Sequence, residues 1–315
     1  MQKSSRLFPT LALTTALLTL GLIVFGAIVR VTDSGLGCGN HWPLCNGTIF
    51  PPLDNITAWI EWLHRLFAIL IGAFGLGMLG IAISAYRQRN RSVLSMTVTA
   101  ALLYFVQSML GAVVVVLDLP PTFVTLHLGV AMLLLAALMV SGIFAMYRPA
   151  TNYTSDQVTT LIYANAVLSL VIILTGALVR GSGATLACVD WPLCNGAIFP
   201  FDQGQLQIVH MFHRAAVAAF GFTLLLLVWN IYRYRQGTTV RRLAAFALVA
   251  YFGQATVGAF FVLSGAAALW GAAHVGLAAT TWAALVALSV IETMNVRGVS
   301  DQGIKWQAQS EPMSN

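Results

Sequence analysis

The chain has 315 residues, of which 58% are hydrophobic and only 8% are charged, and its mean hydropathy is +0.82. These values exclude an ordinary soluble domain. The net charge of +6 does not indicate nucleic-acid binding, because the basic residues fall between apolar segments rather than along one surface.

Eight apolar segments follow one another along the chain. A membrane-spanning helix needs about 20 apolar residues, and such runs lie at 10–32, 57–86, 92–117, 121–147, 157–180, 205–234, 240–264 and 267–296. The first run is not followed by the small residues that mark a signal-peptide cleavage site, so we expect it to be retained as a transmembrane helix. The predicted fold is an all-α membrane protein with eight transmembrane helices.

Basic residues cluster on one side of the predicted spans, whereas the opposite loops contain Asp and few Lys or Arg. Because Lys and Arg accumulate in cytoplasmic loops, we expect a multi-pass protein of the cell membrane with both termini in the cytoplasm. The basic residues on the expected cytoplasmic side are Lys3, Arg6, Arg87, Arg89, Arg91, Arg148, Arg233, Arg235, Arg241, Arg242, Arg297 and Lys305.

The second half of the chain repeats the first. The segment Trp42 to Cys45 recurs identically at Trp191 to Cys194, within similar stretches at 26–52 and 176–202. We therefore expect two four-helix units, residues 1–150 and 151–299, and a disordered cytoplasmic tail at 300–315. Because each unit has an even number of spans, both insert in the same orientation and form two pseudo-symmetric four-helix bundles.

Four of the six histidines form repeat-related pairs. His64 aligns with His213 and His127 with His274, which places one His near the outer end of the second helix and one near the outer end of the fourth helix of each unit. Two imidazoles at similar depth in one bundle suit bis-histidine heme ligation. Zinc is the alternative, but zinc sites generally use three or four clustered ligands. The pattern favours heme, bound near the outer face.

Four arginines lie on the expected outer side, where the other loops contain few basic residues. Arg30 aligns with Arg180 and Arg65 with Arg214, and all four lie near the outer membrane boundary. One explanation is that these side chains reach outer lipid headgroups. Their repetition beside the histidines favours binding of heme propionates instead.

Glu61 marks the sharpest difference between the units. It lies three residues before His64 on the same helix face, whereas the second unit has His210 at this position. A carboxylate at membrane depth is costly and is therefore a functional candidate. Two interpretations are open: an ion pair with Arg65, four residues on, or a proton relay or general acid/base beside a substrate heme. In the second case the first unit does the chemistry and the second stores or relays electrons.

All four cysteines lie in outer loops, Cys38 and Cys45 in the first unit and Cys188 and Cys194 in the second. Cysteines outside the cytoplasm tend to form disulfides, so we expect one bridge in each loop. Thiol–disulfide exchange with an oxidoreductase is the alternative. Neither pair forms a C-x-x-C-H motif, so covalent heme attachment is not indicated.

Together, these residues resemble the heme A synthases of aerobic bacteria. The resemblance covers nearly the whole chain and rests on the eight spans, the repeat, "EWLHR" at residues 61–65, "MFHR" at 211–214 and the Cys pairs. It implies a heme-dependent oxidoreductase that oxidises the C8 methyl of heme O to a formyl group through hydroxylated intermediates, giving heme A for terminal oxidases.

The resemblance also divides the site residues between the units. In the first unit, the substrate heme site would comprise His64, His127, Arg65 and Arg30, with Glu61 as the catalytic residue. In the second unit, a resident heme b would be held by His213, His274, Arg214 and Arg180. Further implied partners are membrane lipid, a heme O synthase and an electron donor; a homo-oligomer is an open question, and nucleic acid is not expected.

Two other functions compete with this interpretation. The first is a two-heme b-type electron carrier of the quinol oxidoreductase kind, but transmembrane electron transfer usually has one heme near each face. The second is a membrane thiol–disulfide oxidoreductase, which leaves the paired histidines unexplained. His210 is not part of the resemblance, and its role stays open.

Overall fold

The computed structural model describes the backbone of residues 4–149 and 154–310, and side chains within 6–149 and 154–296. Over these ranges the chain is helical and has no strand beyond isolated bridges. The side chains of the predicted tail, residues 300–315, lie outside the described residues, as do residues 311–315 entirely. The helices are α1 (Ser4–Val31), α2 (Ile56–Tyr86), α3 (Arg91–Val116), α4 (Pro121–Met146), α5 (Gln157–Gly181), α6 (Gln205–Tyr234), α7 (Thr238–Leu263) and α8 (Ala268–Ser310).

Each of these eight helices contains a segment of 25 to 31 residues that is apolar enough to cross a membrane. At a rise of 1.5 Å per residue, even the shortest extends about 37 Å, which exceeds the roughly 30 Å of the hydrocarbon core. The eight predicted spans are thereby confirmed.

Polar residues define several helix starts. The side chain of Asn55 accepts a hydrogen bond from the Ala58 N–H at 3.0 Å, and Asn90 caps α3 in the same way. Asp156 and Thr159 form a reciprocal capping box at the start of α5. These side chains satisfy backbone donors that have no partner inside the helix.

Contacts between helices follow the internal repeat. In the first unit α1 packs on α2, α2 on α3, α3 on α4 and α4 on α1, and α5 to α8 close a ring in the same order. The units meet where α1 contacts α8 and α5 contacts α4, with α4 and α8 also in mutual contact. This pattern is consistent with two pseudo-symmetric four-helix bundles, with α4 and α8 the most buried of the spans.

The repeat extends to backbone details of the loops. Asn46 and Asn195 have φ of 49° and 51°, and the following residues Gly47 and Gly196 both have φ of 83°. The turns between α3 and α4 and between α7 and α8 each contain two successive residues with positive φ. The end of the bundles that carries the cysteine loops is called the cysteine face below.

A buried ion cluster lies at the opposite end of the second unit. The Arg235 guanidinium, 2% exposed, donates hydrogen bonds to Asp156 at 2.7 Å and to the fully buried Glu292 at 2.5 Å. Burial alone lowers the pKa of Arg235, but these hydrogen bonds outweigh it and raise that pKa. The same guanidinium lowers the pKa of Asp156. Arg235, which the sequence places among the basic residues that orient the chain, is thus neutralised by two carboxylates.

Candidate functional site

The four repeat-related histidines lie near the cysteine face. His64 and His213 follow the first residues of α2 and α6 by eight positions, and His127 and His274 follow those of α4 and α8 by six. These offsets correspond to depths of about 12 Å and about 9 Å along the helices. Within each unit the two imidazoles are electrostatic neighbours. The structure therefore brings each predicted pair together.

Each imidazole packs against a glycine of the preceding helix. A Cβ atom at Gly26, Gly111, Gly176 or Gly258 would lie 3.2, 3.1, 3.1 or 2.8 Å from the Cε1 atom of the adjacent histidine. All four glycines stand five residues before the end of their helices. Because any side chain there would press on the ring, glycine sets the space in which each imidazole sits. Sequence reasoning missed these contacts, although all four glycines fall within the repeat.

The histidines of the second unit are held by hydrogen bonds at Nδ1. The Nδ1 atom of His213 lies 2.9 Å from the Thr175 hydroxyl, and that of His274 lies 3.1 Å from the Gln254 carbonyl oxygen. A hydrogen bond at one ring nitrogen fixes the orientation of the imidazole and leaves the other nitrogen for a metal. The second unit thus presents two fixed rings whose Nε2 atoms are available.

The first unit holds its histidines differently. The Nδ1 atoms of His64 and His127 are buried without a hydrogen-bond partner in the described part of the chain. Phe25, whose ring centroid lies 5.9 Å from that of His64, occupies the repeat position of Thr175 and offers no hydroxyl. The Nε2 atom of His127 lies 3.1 Å from the Gln107 side-chain amide.

Glu61 is buried beside the first pair. Its side chain lies on α2, is 3% exposed, and accepts a hydrogen bond from the Cys38 N–H at 2.9 Å. Its other oxygen pairs with Arg65, so the ion pair that the i, i+4 spacing allows is present. The carboxylate therefore connects a membrane helix to the first cysteine loop, one helical turn from His64.

Arg65 and Arg214 bind the cysteine loops. Arg65 Nη1 donates to the carbonyl oxygens of His41 and Leu44 at 3.2 and 3.1 Å. Arg214 makes the equivalent bond to the Leu193 carbonyl and a further bond, at 3.4 Å, to the carbonyl of Cys188. Both guanidinium groups hold the loops over the histidines, while their predicted role in binding propionates stays a prediction.

Arg30 and Arg180 face each other across the boundary between the units. Arg180 Nη2 lies 4.0 Å from an Asp33 carboxylate oxygen, and Arg30 is within electrostatic reach of both. Arg30 donates no hydrogen bond to another described residue. Two neighbouring guanidinium groups that share one exposed carboxylate retain donors for a further anion.

Both predicted disulfides are present. Cys38 is bonded to Cys45 and Cys188 to Cys194, and all four side chains are buried. In the second loop, backbone N–H groups of Gly196 and Asn195 donate to Asp190 and lower the pKa of this carboxyl. The loops are thus cross-linked and internally hydrogen-bonded covers above the two histidine pairs.

The two remaining histidines have separate environments. His41 is exposed in the first loop. His210 is 5% exposed, lies beside the backbone of Ala184, and has a buried Nδ1 without a partner among the described residues. It therefore lies where α6 meets the turn after α5, at the position where Glu61 attaches α2 to its own loop.

The paired imidazoles suit an iron porphyrin better than a bare metal ion. The described residues contain no group of three or more His, Cys, Asp or Glu that could hold a metal ion. In the second unit a small cavity, bordered by Val217, Tyr251 and Gln254, lies one helical turn below the histidines, between α5, α6, α7 and α8. The fixed rings and the small residues that face them fit a heme bound in this unit.

Fold and site together define a class: a duplicated, multi-pass membrane protein that holds imidazoles in repeat-related pairs under disulfide-bonded loops. Comparison with known proteins gives the family. A family model, COX15-CtaA, described as "Cytochrome oxidase assembly protein", matches residues 9–286. The chain belongs to this family, and the resemblance to heme A synthases is thereby confirmed.

Curated relatives match over most of the chain. It is 31% identical over 286 residues to a protein named heme A synthase from Alkalihalophilus pseudofirmus, covering 89% of this chain and 95% of the relative. Another heme A synthase, from Symbiobacterium thermophilum, is 31% identical over 84% of this chain and 88% of its own length. A third, from Shouchella clausii, is 32% identical over 81% and 86%.

Proposed function

We propose that the protein is a heme A synthase, an oxidoreductase that converts the C8 methyl of heme O into a formyl group through hydroxylated intermediates and supplies terminal oxidases. One observation carries the proposal: among the residues that the structure describes, only one of the two histidine pairs has a buried carboxylate, Glu61, beside it. A symmetric electron carrier does not need this difference, whereas an enzyme with one substrate heme and one resident heme does. The shared name of the relatives supports the same activity.

The first unit is the proposed substrate site. His64 and His127 bind heme O, and Glu61 takes up or returns protons next to the reacting edge. Oxidation of a hydroxymethyl group to a formyl group removes two electrons, which an external electron acceptor must take up, and two protons, for which a nearby base is required. Glu61 is suited to this task because it lies one turn from His64 and is shielded from bulk water.

The second unit is the proposed site of a resident heme b. His213 and His274 would hold the heme iron, and Thr175 and the Gln254 carbonyl fix the orientation of their rings. Heme b bound there supplies one-electron transfer. In this arrangement residues 1–150 form the catalytic unit and residues 151–299 the electron-transfer unit.

The arginines and the charge distribution support a position for the site near the outer membrane boundary. Arg30 and Arg180 are the proposed contacts of heme propionates, because both guanidinium groups keep donors for an anion. Arg65 and Arg214, which hold the loop carbonyls, are the secondary candidates. We place the cysteine face outside the cytoplasm and both termini inside. A heme O synthase and an electron donor are the proposed partners.

The experiment is to express the chain with a source of heme O and to identify the extracted hemes by mass spectrometry. A heme with the mass of the formyl product supports the proposal. A chain that binds only heme b and yields no formyl product contradicts it and favours the two-heme electron carrier.

Glu61→Gln tests the catalytic assignment within the same experiment. Glutamine keeps an oxygen that can accept from the Cys38 N–H but cannot take up a proton, so we expect formyl heme to disappear while bound heme b is retained. Asp54→Asn is the matched control, because Asp54 is exposed in the adjacent loop. If Glu61→Gln produces as much heme A as wild type, Glu61 is not a catalytic residue.

A further inference from the structure

Gln107 is the feature of the first unit that the proposed chemistry leaves unused. Its side-chain Nε2 lies 3.1 Å from Nε2 of His127, and its Oε1 is buried without a partner in the part of the chain that the structure describes. Whichever way the amide is turned, the contact engages the ring nitrogen that would otherwise coordinate iron. Iron and Gln107 therefore compete for the same atom.

The second unit has the same residue type in the equivalent position and uses it differently. Gln254 stands 20 residues before His274, as Gln107 does before His127. There, the backbone carbonyl accepts from Nδ1 of the histidine, while the side chain borders the cavity below the pair. Nε2 of His274 is thus left available, whereas Nε2 of His127 is not.

The other histidine of each unit shows the same contrast. His213 is fixed by the Thr175 hydroxyl at 2.9 Å, whereas His64 has Phe25 in the equivalent position and a buried Nδ1 without a partner among the residues described. A ligand whose second nitrogen is hydrogen-bonded binds metal more tightly, typically by about 10–100-fold. Both histidines of the second unit have this support and neither histidine of the first unit does.

We infer that the first unit is built to exchange its heme and that Gln107 is the positioning residue that enables exchange, by holding His127 Nε2 when iron is absent and competing with iron for it. This inference rests on the proposed function, because a substrate heme has to enter and leave, whereas a resident heme has to stay. The asymmetry lies in Phe25 and in the contact that the Gln107 side chain makes, not in the histidines themselves.

The test measures heme release rather than turnover. The purified full-length protein is loaded with iron protoporphyrin IX, and transfer to excess apomyoglobin is followed by absorbance. We expect two phases, with the fast phase lost in His127→Ala and the slow phase lost in His274→Ala. In Gln107→Leu the fast phase should slow by about 3–10-fold, because the competing hydrogen bond of ordinary strength is gone. A merely structural role for Gln107 would instead speed release.

A second variant and a control keep the result interpretable. Phe25→Thr supplies the hydroxyl found in the second unit and should also slow the fast phase. Asn230→Leu replaces an amide elsewhere in a spanning helix, where Asn230 donates to the Leu226 carbonyl of its own helix, and should change neither phase. A fast phase that is unchanged or faster in both Gln107→Leu and Phe25→Thr overturns the inference. If His127→Ala removes neither phase, the proposed substrate site itself fails.

Discussion

A methyl group added at Gly258 should disturb heme binding in the second unit. The Cβ of Gly258→Ala would lie 2.8 Å from Cε1 and 3.0 Å from Nδ1 of His274. Carbon atoms in contact are about 3.5–4.0 Å apart, so the ring has to move by about 0.7–1.2 Å. This movement would lengthen the bond of 3.1 Å between Nδ1 and the Gln254 carbonyl beyond the range of a hydrogen bond.

The magnitude follows from these displacements. A metal ligand tolerates deviations of only about 0.2 Å, and loss of the partner of a ligating histidine typically lowers metal affinity about 10–100-fold. We therefore expect Gly258→Ala to bind heme b at least about tenfold more weakly than wild type, measured by heme titration of the purified protein in detergent.

Gly80→Ala is the control for this experiment. No heavy atom lies within 4 Å of the Cβ position at Gly80, which is exposed on α2. Alanine favours a helix over glycine by about 0.5–1 kcal/mol, so this variant should keep its heme and lose no thermal stability. If Gly258→Ala binds heme as tightly as wild type while remaining folded, the contact between Gly258 and the ring does not position the ligand.

Three further predictions concern the supports of the site. Thr175→Val removes the hydrogen bond to His213 and should weaken heme b binding by about tenfold. It should also raise the midpoint potential of the heme, measured by redox titration, because the His213 imidazole becomes less basic. The double variant Cys38→Ser/Cys45→Ser should destabilise the first loop by roughly 2–3 kcal/mol, because the disulfide no longer restricts the unfolded loop. We expect this loss to appear as faster proteolysis of the loop. Asp156→Asn should lower the melting temperature at neutral pH but not at acidic pH.

The sign of the last prediction follows from the lowered pKa of Asp156, which its hydrogen bond from Arg235 causes. A carboxyl whose pKa is lower in the folded state stabilises the fold above its unfolded value of about 3.9 and loses this contribution as the pH falls through the folded value. The difference between wild type and Asp156→Asn should therefore shrink below about pH 4. A difference that stays constant with pH would exclude the ion pair as its cause.

Controls for these variants come from the same chain. Thr256→Val removes an exposed hydroxyl that donates to the Phe252 carbonyl of its own helix, so heme content and potential should not change. If Thr175→Val matches this control, the Thr175 hydroxyl does not support the ligand. If the reduced first loop is cleaved no faster than the intact one, its hydrogen bonds alone hold it.

The sequence predicted the large features of the fold because many residues contribute to each of them. Eight apolar runs fix eight spans, since the bilayer demands about 20 apolar residues for each. The repeat predicts which histidines lie at the same depth in the membrane, because equivalent residues are the same number of positions from the start of equivalent helices. The cysteine pairing followed from the short loops that enclose each pair.

What the sequence did not predict depends on side-chain geometry. The spacing of Glu61 and Arg65 allowed an ion pair, but the bond from the Cys38 N–H to Glu61 depends on the fold of the loop. Arg235 was counted among orienting charges, yet Asp156 and Glu292, distant in sequence, neutralise it in the folded chain. Such contacts join residues far apart along the chain, and periodicity carries no information about them.

One sequence signal could have revealed the asymmetry of the histidines. Aligning the repeats places Phe25 opposite Thr175, a change from an apolar ring to a hydroxyl one residue before a repeated glycine. Its meaning becomes apparent only when the structure places both residues against the imidazoles of the second and sixth helices. A duplicated scaffold needs few changes to separate two roles, because the helices already hold both sites at the same depth. Glu61 in place of histidine adds a proton carrier, and Phe25 in place of threonine leaves a ligand unsupported. Both changes fall in the first unit, which is the direction expected if that unit handles a heme that must react and leave.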